Sequence, residues 1–194
     1  VYQFSLAPLL LYSYCSGNAT YLTRWAEALE ELPDGCTVLN FLASHDGIGL
    51  RPLEGLLSES EVDDLVETMH ERGGFASMRD AGNGVQRPYE INIALFSAFG
   101  GTPADIPAYV GAHLLLMSFR GIPTLYIHSL LASTNDLANV ERTGRTRSIN
   151  RGHLSLASLR QELGCKGSVR SKVLSDLLAA LSTRNAQPAF KFGG

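Results

Sequence analysis

Short apolar runs alternate along this chain with longer segments whose apolar residues recur every three or four positions, and loops rich in Gly, Pro, Asn and Asp separate them. Val1–Ser5 (VYQFS) alternates as a strand does. The run LAPLLLYSY follows, with Pro8 near its start, where a helix tolerates proline. Asn18 or Thr20 is placed to cap the next helix, on which Leu22, Trp25, Ala26, Leu29 and Leu32 share helical spacing, and Pro33-Asp34-Gly35 stops it. Cys36–Leu42 is again apolar and partly β-branched, the composition of a strand buried on both faces of a parallel sheet. Strand, helix and strand joined by short links predict a βαβ unit with a right-handed crossover.

The second strand ends abruptly in Ser44-His45-Asp46-Gly47-Ile48-Gly49. An apolar strand that delivers a His-Asp pair into a glycine-relieved turn is how an α/β barrel presents chemistry, because its sites form at the carboxyl ends of the strands. A purely structural reading stands beside it, with Asp46 as the N-cap of a following helix and His45 as a satisfied buried imidazole. Residues 49–101 read as an insertion. Arg51–Leu57 is a short helix, and Ser58–Glu61 is a capping box for a helix carrying Val62, Leu65, Val66 and Met69, which Gly73-Gly74 ends. FASMR and QRPYEINIALF then form a hairpin turned through DAGNGV, where Asn83-Gly84 is the turn dipeptide. A barrel does not need a helix and a hairpin between two of its strands, so the insertion is expected to form a lid or substrate wall rather than a surface excursion. Further on, Ile106–Phe119 predicts the most apolar helix and Thr124–His128 another buried strand. Leu154–Leu163 and Val169–Arg184 predict two closing amphipathic helices. The polar stretch before them gathers Arg142, Arg145, Arg147 and Arg151, dense for a chain with 16 basic residues.

Composition narrows the function classes. The length of 194 residues suits one domain with a sizeable core, and 45% hydrophobic with 18% charged residues is ordinary for a globular protein. A net charge of -3 gives no electrostatic footprint for nucleic acid. No apolar run approaches the ~20 residues of a membrane span. No basic segment precedes the apolar start, so Val1–Tyr12 does not read as a signal peptide. Cys15, Cys36 and Cys165 cannot all pair within one chain and lack CxxC spacing, which points to reduced thiols in the cytoplasm and to no structural zinc. The chain starts in mid-strand without an initiator Met, which points to a fragment or a processed piece.

Three motifs in a fixed order carry a family resemblance. FLASHDGIGLRP resembles the segment at the seventh barrel strand of the α-amylase superfamily, glycoside hydrolase family 13. GIPTLYIHSLLASTND with ERTGRTRSINR is similar to the eighth strand and following loop of its sucrose phosphorylase-like branch. RPYEIN falls where that branch has a mobile active-site loop, and VYQFSLAPLLL matches the sixth strand. The resemblance implies an α/β fold that is a partial TIM (β/α)8 barrel, strands six to eight with their helices, interrupted by the helix-plus-hairpin insertion. A complete barrel takes ~250 residues. It implies a retaining α-glucosyl phosphorylase or transglycosidase that passes glucose from an α-glucoside to inorganic phosphate, with no cofactor and no metal in the step. A hydrolase of the same superfamily and a non-catalytic sugar-binding or assembly fragment are the other readings.

The resemblance also assigns roles. Asp46 matches the carboxylate that stabilises the transition state, His45 its neighbour that binds a sugar hydroxyl, and Arg151 an arginine that holds the glucosyl unit. Tyr89 and Glu90 fall on the loop that exchanges acceptor groups. Sucrose phosphorylases proper tend to have an acidic residue two before that Tyr and Gln after it; this chain has Arg87 and Glu90, which favours an anionic acceptor such as a phosphorylated sugar or glycerate. The nucleophile and acid/base of the family lie before Val1 in the family's order, and Glu90, Asp136 and Glu141 do not stand at matching positions. The chain alone is therefore expected to be inactive. As a slice of barrel it would have two unpaired strand edges and an uncovered inner face, so a homo-oligomer or association with the amino-terminal barrel part is expected, with the first and third strands near the contact.

Overall fold

The computed structural model describes residues 1–82 and 84–190. In chain order the elements are β1 (Tyr2–Gln3), α1 (Leu6–Ser16), α2 (Thr20–Glu27), β2 (Leu39–Asn40), β3 (Ile48–Gly49), α3 (Glu59–Glu71), β4 (Phe75–Asp80) and β5 (Gln86–Asn92). They continue with α4 (Leu95–Ala98), α5 (Ile106–Ser118), β6 (Ile122–Pro123), α6 (Ile127–Leu130), α7 (Leu137–Thr143), α8 (Leu156–Gly164) and α9 (Val169–Ala186).

A parallel sheet of order β1-β2-β6 pairs Tyr2 with Leu39 and Leu39 with Ile122. Its ladders are shorter than the apolar runs that form them. Phe4 and Ser5 have already turned toward α1, and Tyr2 and Phe4 remain 59% and 57% exposed rather than buried on both faces. The expected strand Thr124–His128 is displaced. The ladder runs from Ile122 N to Val38 O and from Thr124 N to Asn40 O, both 2.8 Å, and Tyr126 then opens the helical turn α6, its carbonyl accepting from Leu130 N at 2.9 Å. Periodicity does not separate strand from helix in a run this short. The neighbour decides, because the β2 ladder ends at Asn40.

Residues 48–92 build a second, antiparallel sheet of order β3-β5-β4. The hairpin is therefore not free: β5 is its central strand, and β3, directly after the His-Asp turn, pairs with it through Ile48–Ile91 and Gly49–Glu90. Asn83 of the expected turn dipeptide lies outside the described residues. The Ser58–Glu61 capping box forms as expected. The Glu61 carboxylate also accepts the hydroxyls of Tyr12 and Tyr21 at 2.8 and 3.1 Å, which ties α3 to α1 and α2. These donors, Ser58 first, hold its pKa down to about 2. Other local expectations shift. The short helix narrows to a 3-10 turn over Arg51–Leu53. Neither Asn18 nor Thr20 caps α2, whose N-cap is Ala19; the Asn18 Oδ1 instead accepts from Thr20 N at 2.9 Å. The polar stretch holds the unpredicted helix α7, with Asp136 as its side-chain N-cap.

The core is one cluster that includes Ile48 and Ile91 of the antiparallel sheet and, beside the parallel sheet, Leu6 and Leu42, which follow β1 and β2. Helix α1 is apolar around its first two turns, with Leu6, Leu9 and Leu11 inaccessible, and it touches α2, α3 and β3. Helix α5 packs on α9, with Leu116 on one and Val173 and Leu177 on the other fully buried. Buried Arg184 closes that pair: its Nε donates to the Met117 carbonyl at 2.8 Å, an acceptor that the end of α5 leaves open, and its Nη2 to the Gly121 carbonyl at 2.7 Å in the link to β6. Among the described residues no helix is long and apolar enough to cross a membrane.

Candidate active site

The His-Asp turn is held from outside itself. The Asp46 amide donates to Ser44 Oγ at 3.1 Å, the one bond made within the turn. Asn150 Nδ2 donates to the Ser44 carbonyl at 2.7 Å, and Arg151 Nε donates to the His45 carbonyl at 2.7 Å. Both donors come from the 3-10 turn Thr146–Asn150 and the residue after it. That turn is fixed in its own right: Tyr126 Oη donates to the Asn150 carbonyl at 2.8 Å, and buried Asn139 donates to the Ser148 carbonyl at 2.9 Å. The loops after β2 and β6 thus meet edge to edge, at the ends of adjacent parallel strands.

Asp46 sits at the junction. Its Oδ1 accepts from Arg151 Nη2 at 3.0 Å and lies 3.1 Å from Arg147 Nη1, while its Oδ2 lies 3.5 Å from His45 Nε2. The carboxylate is 41% exposed and the His45 ring 71% exposed, so both remain open to a ligand. Asp46 does not cap a helix; the chain passes straight into β3. Nor is His45 a buried imidazole.

The third contribution comes from β5. Glu90 is almost inaccessible, and its two carboxylate oxygens take the Nε and Nη2 of Arg147 at 2.8 and 2.6 Å. Such a two-bond fork is the strongest pairing a guanidinium makes. It raises the Arg147 pKa, with smaller help from Asp46 and Tyr89. Glu90 reaches this place only because residue 47 is glycine: a Cβ there would lie 2.5 Å from both the Glu90 Cγ and the Ile91 carbonyl oxygen.

Of the candidate residues, the fold brings together His45, Asp46, Arg151 and, through Arg147, Glu90. Tyr89 is half-buried beside them, its carbonyl accepting from Leu50 N at 2.9 Å. Arg87 stands apart, paired with Glu59 of α3 at 2.6 Å; three residues up the hairpin, the nearest carboxylate belongs to the helix rather than to the turn. Arg147, Asn150 and Ser44 were not singled out from the sequence. The arginine cluster was the available signal, but it does not tell which arginine turns inward: Arg142 binds Asn139 and Arg145 faces solvent. Beside the 3-10 turn Thr146–Asn150 opens a polar cavity of about 190 Å³ lined by His128, Asp136, Asn150, His153 and Arg170. Among the described residues, no three His, Cys, Asp or Glu side chains group closely enough to hold a metal ion. A half-exposed carboxylate flanked by two arginines and an open imidazole is a set of acceptors and donors for a polyhydroxylated ligand.

Comparison with known proteins gives the relationship. The chain is 38% identical to glucosylglycerate phosphorylase of Escherichia coli (strain K12) over 98% of its own length and 35% of that protein. It is 34% identical to sucrose phosphorylase of Agrobacterium vitis over 98% of this chain and 38% of that one. The crystal structure of sucrose 6F-phosphate phosphorylase from Thermoanaerobacter thermosaccharolyticum superposes with a TM-score of 0.82 at 28% identity, over 97% of this chain and 37% of that one. No protein-family model matches. The chain is thus homologous to the sucrose phosphorylase-like glycoside phosphorylases, as the motifs implied, and spans about a third of their length.

Proposed function

We propose that this chain is the carboxy-terminal part of the (β/α)8 catalytic barrel of a retaining α-glucosyl phosphorylase, with residues 49–101 as an insertion that walls the active site. Asp46 is the carboxylate that stabilises the oxocarbenium-like transition state. His45 and Arg151 hold the glucosyl ring, and Tyr89 borders the acceptor. The observation that carries this reading is the convergence of His45, Asp46 and Arg151 on one turn at the strand ends, in a chain whose relatives are phosphorylases. The complete enzyme forms a β-glucosyl-enzyme and resolves it with inorganic phosphate, giving α-glucose 1-phosphate. Glycerate is the favoured acceptor in the reverse direction, supported by the glucosylglycerate phosphorylases of Escherichia coli, Spirochaeta thermophila and Allomeiothermus silvanus at 37–38% identity. Glu90 reads as part of the scaffold for this site rather than as an acceptor contact, because Arg147 takes both of its oxygens.

The retaining step needs a nucleophile and an acid/base, two carboxyls ~5–5.5 Å apart across the scissile bond. Both lie on the remaining two thirds of the enzyme, and so does the cover for the outer edges of β1 and β6 and for the exposed Tyr2, Phe4 and Ile127. A second copy of the chain is the other candidate to cover them. The unpaired thiols of Cys15, Cys36 and Cys165 fit a cytoplasmic enzyme. The test is phosphate-dependent release of α-glucose 1-phosphate from glucosylglycerate and from sucrose. The full-length protein should release it and the 194-residue chain should not. Turnover by the isolated chain, or hydrolysis indifferent to phosphate in the full-length protein, overturns the reading.

A further inference from the structure

Arg147 stands between two carboxylates and treats them unequally. Glu90 holds the fork of its guanidinium, Nε and Nη2, whereas only Nη1 is left to face Asp46, 3.1 Å away. The side chain of Glu90 is 8% exposed and that of Asp46 41%. The buried acid therefore anchors the arginine and the open one merely borders it. Glu90 has little freedom to leave, since β5 is paired on both sides and the bare Gly47 backbone lies against its Cγ. The arginine contacts of Asp46 fall on its Oδ1, and among the described residues its Oδ2 faces the His45 ring at 3.5 Å.

We propose that Glu90 and Arg147 are a positioning pair that keeps Asp46 available to the sugar. Glu90 occupies the fork that would otherwise close on Asp46 with two bonds and take both of its oxygens. The inference rests on the reading of Asp46 as the transition-state carboxylate. Neutralise Glu90, and the guanidinium loses its buried counter-ion while one carboxylate stays within reach. Arg–carboxylate pairs favour the two-bond form. Arginine and Asp46 then satisfy each other, and the hydroxyls that Asp46 should bind must compete with a charged fork.

The signature is a reversal of sign. Glu90→Gln is nearly isosteric and lowers glucosyl transfer; adding Arg147→Met removes the capturing fork and restores part of the rate. Arg147→Lys in the Glu90→Gln background serves the same comparison, since an ammonium keeps the charge without the planar fork. In the full-length protein, with α-glucose 1-phosphate as donor and glycerate as acceptor, kcat should fall at least ~10-fold in Glu90→Gln while the donor KM moves less than ~3-fold, as when an interaction made only in the transition state is removed. Either second-site change should raise that kcat by ~5-fold or more. A double variant no faster than Glu90→Gln, or a loss confined to the acceptor KM, overturns the proposal. A crystal structure of the full-length Glu90→Gln variant decides it without any activity. Arg147 on both Asp46 oxygens supports it, and Arg147 still on residue 90 with the Asp46 Oδ2 open refutes it. Absence of glucosyl transfer in the unmodified protein would sink the functional reading and leave this structural outcome to judge the pair.

Discussion

Replacing Gly47 by alanine places a Cβ 2.5 Å from the Glu90 Cγ, 2.5 Å from the Ile91 carbonyl oxygen and 2.9 Å from the Glu90 Cδ. Relief requires something to move by about 1 Å, since side-chain contacts in cores sit near ~3.5–4.0 Å. The Ile91 oxygen is backbone of the central strand, and Ile91 itself is fully buried. Glu90 is pinned by both bonds to Arg147. The β3–β5 pairing must therefore open, against a usual strand spacing of ~4.8 Å. Overpacking of this kind costs ~1–3 kcal/mol. The entropy that alanine removes from the unfolded chain returns only ~0.4–1 kcal/mol. Gly49, two residues on, is the control: a Cβ there meets only Pro52 Cδ, at 3.9 Å. In urea unfolding of the full-length protein, at a slope of ~2 kcal/mol per M, Gly47→Ala should lower the midpoint by ~0.5–1 M, and Gly49→Ala, with the entropic gain and no clash, should raise it by ~0.2–0.5 M. Glucosyl transfer should drop in Gly47→Ala alone, because the displaced turn carries Asp46. Equal midpoints for the two variants would refute the claim that Glu90 is seated on the turn by the missing side chain.

Asp46→Asn in the full-length protein should leave the urea midpoint nearly unchanged and lower kcat by at least ~10²-fold, the scale seen when a group that stabilises transition-state charge is removed; unfolding with intact kinetics would make Asp46 a structural residue. His113, inaccessible in α5 with its Nδ1 2.8 Å from the Tyr109 carbonyl, is held down to about 4 by burial. Its folded-state pKa lies below the unfolded value of ~6.5, so the unfolded chain takes up the proton first and stability drains away as pH falls from ~6.5 to ~4, by on the order of 3 kcal/mol. His113→Met should flatten that slope in melting curves, and identical slopes would contradict it. Arg87→Gln should leave the choice between glycerate and fructose unchanged and cost no more than ~1 kcal/mol, because its partner Glu59 is a largely exposed carboxylate on α3; a switch of acceptor would return Arg87 to the active site.

Local order was legible in this chain wherever one segment answers its own chemistry. The capping box of α3 satisfies amides within three residues of itself, and the hairpin closes between neighbours in sequence, so Ser58, Glu61 and the β4–β5 pairing could be read directly. The His-Asp turn was legible for the same reason, as a break in apolar pattern with two polar side chains delivered at a strand end. What the turn binds was not. Arg147 and Arg151 reach Glu90 and Asp46 across 57 and 105 positions of sequence, and four arginines lie close enough together in the chain that spacing does not choose among them. The strand expected over Thr124–His128 failed on a similar point. Whether Tyr126 and Ile127 continue a ladder depends on how far β2 offers hydrogen-bonding partners, and β2 stops at Asn40. Gly47 shows the limit most plainly: in sequence it relieves a turn, whereas in the fold it is the gap into which a carboxylate from another strand fits. Patterns of burial and capping are written residue by residue, but which long side chains share a charge is decided only when distant backbones have been brought to one edge of a sheet.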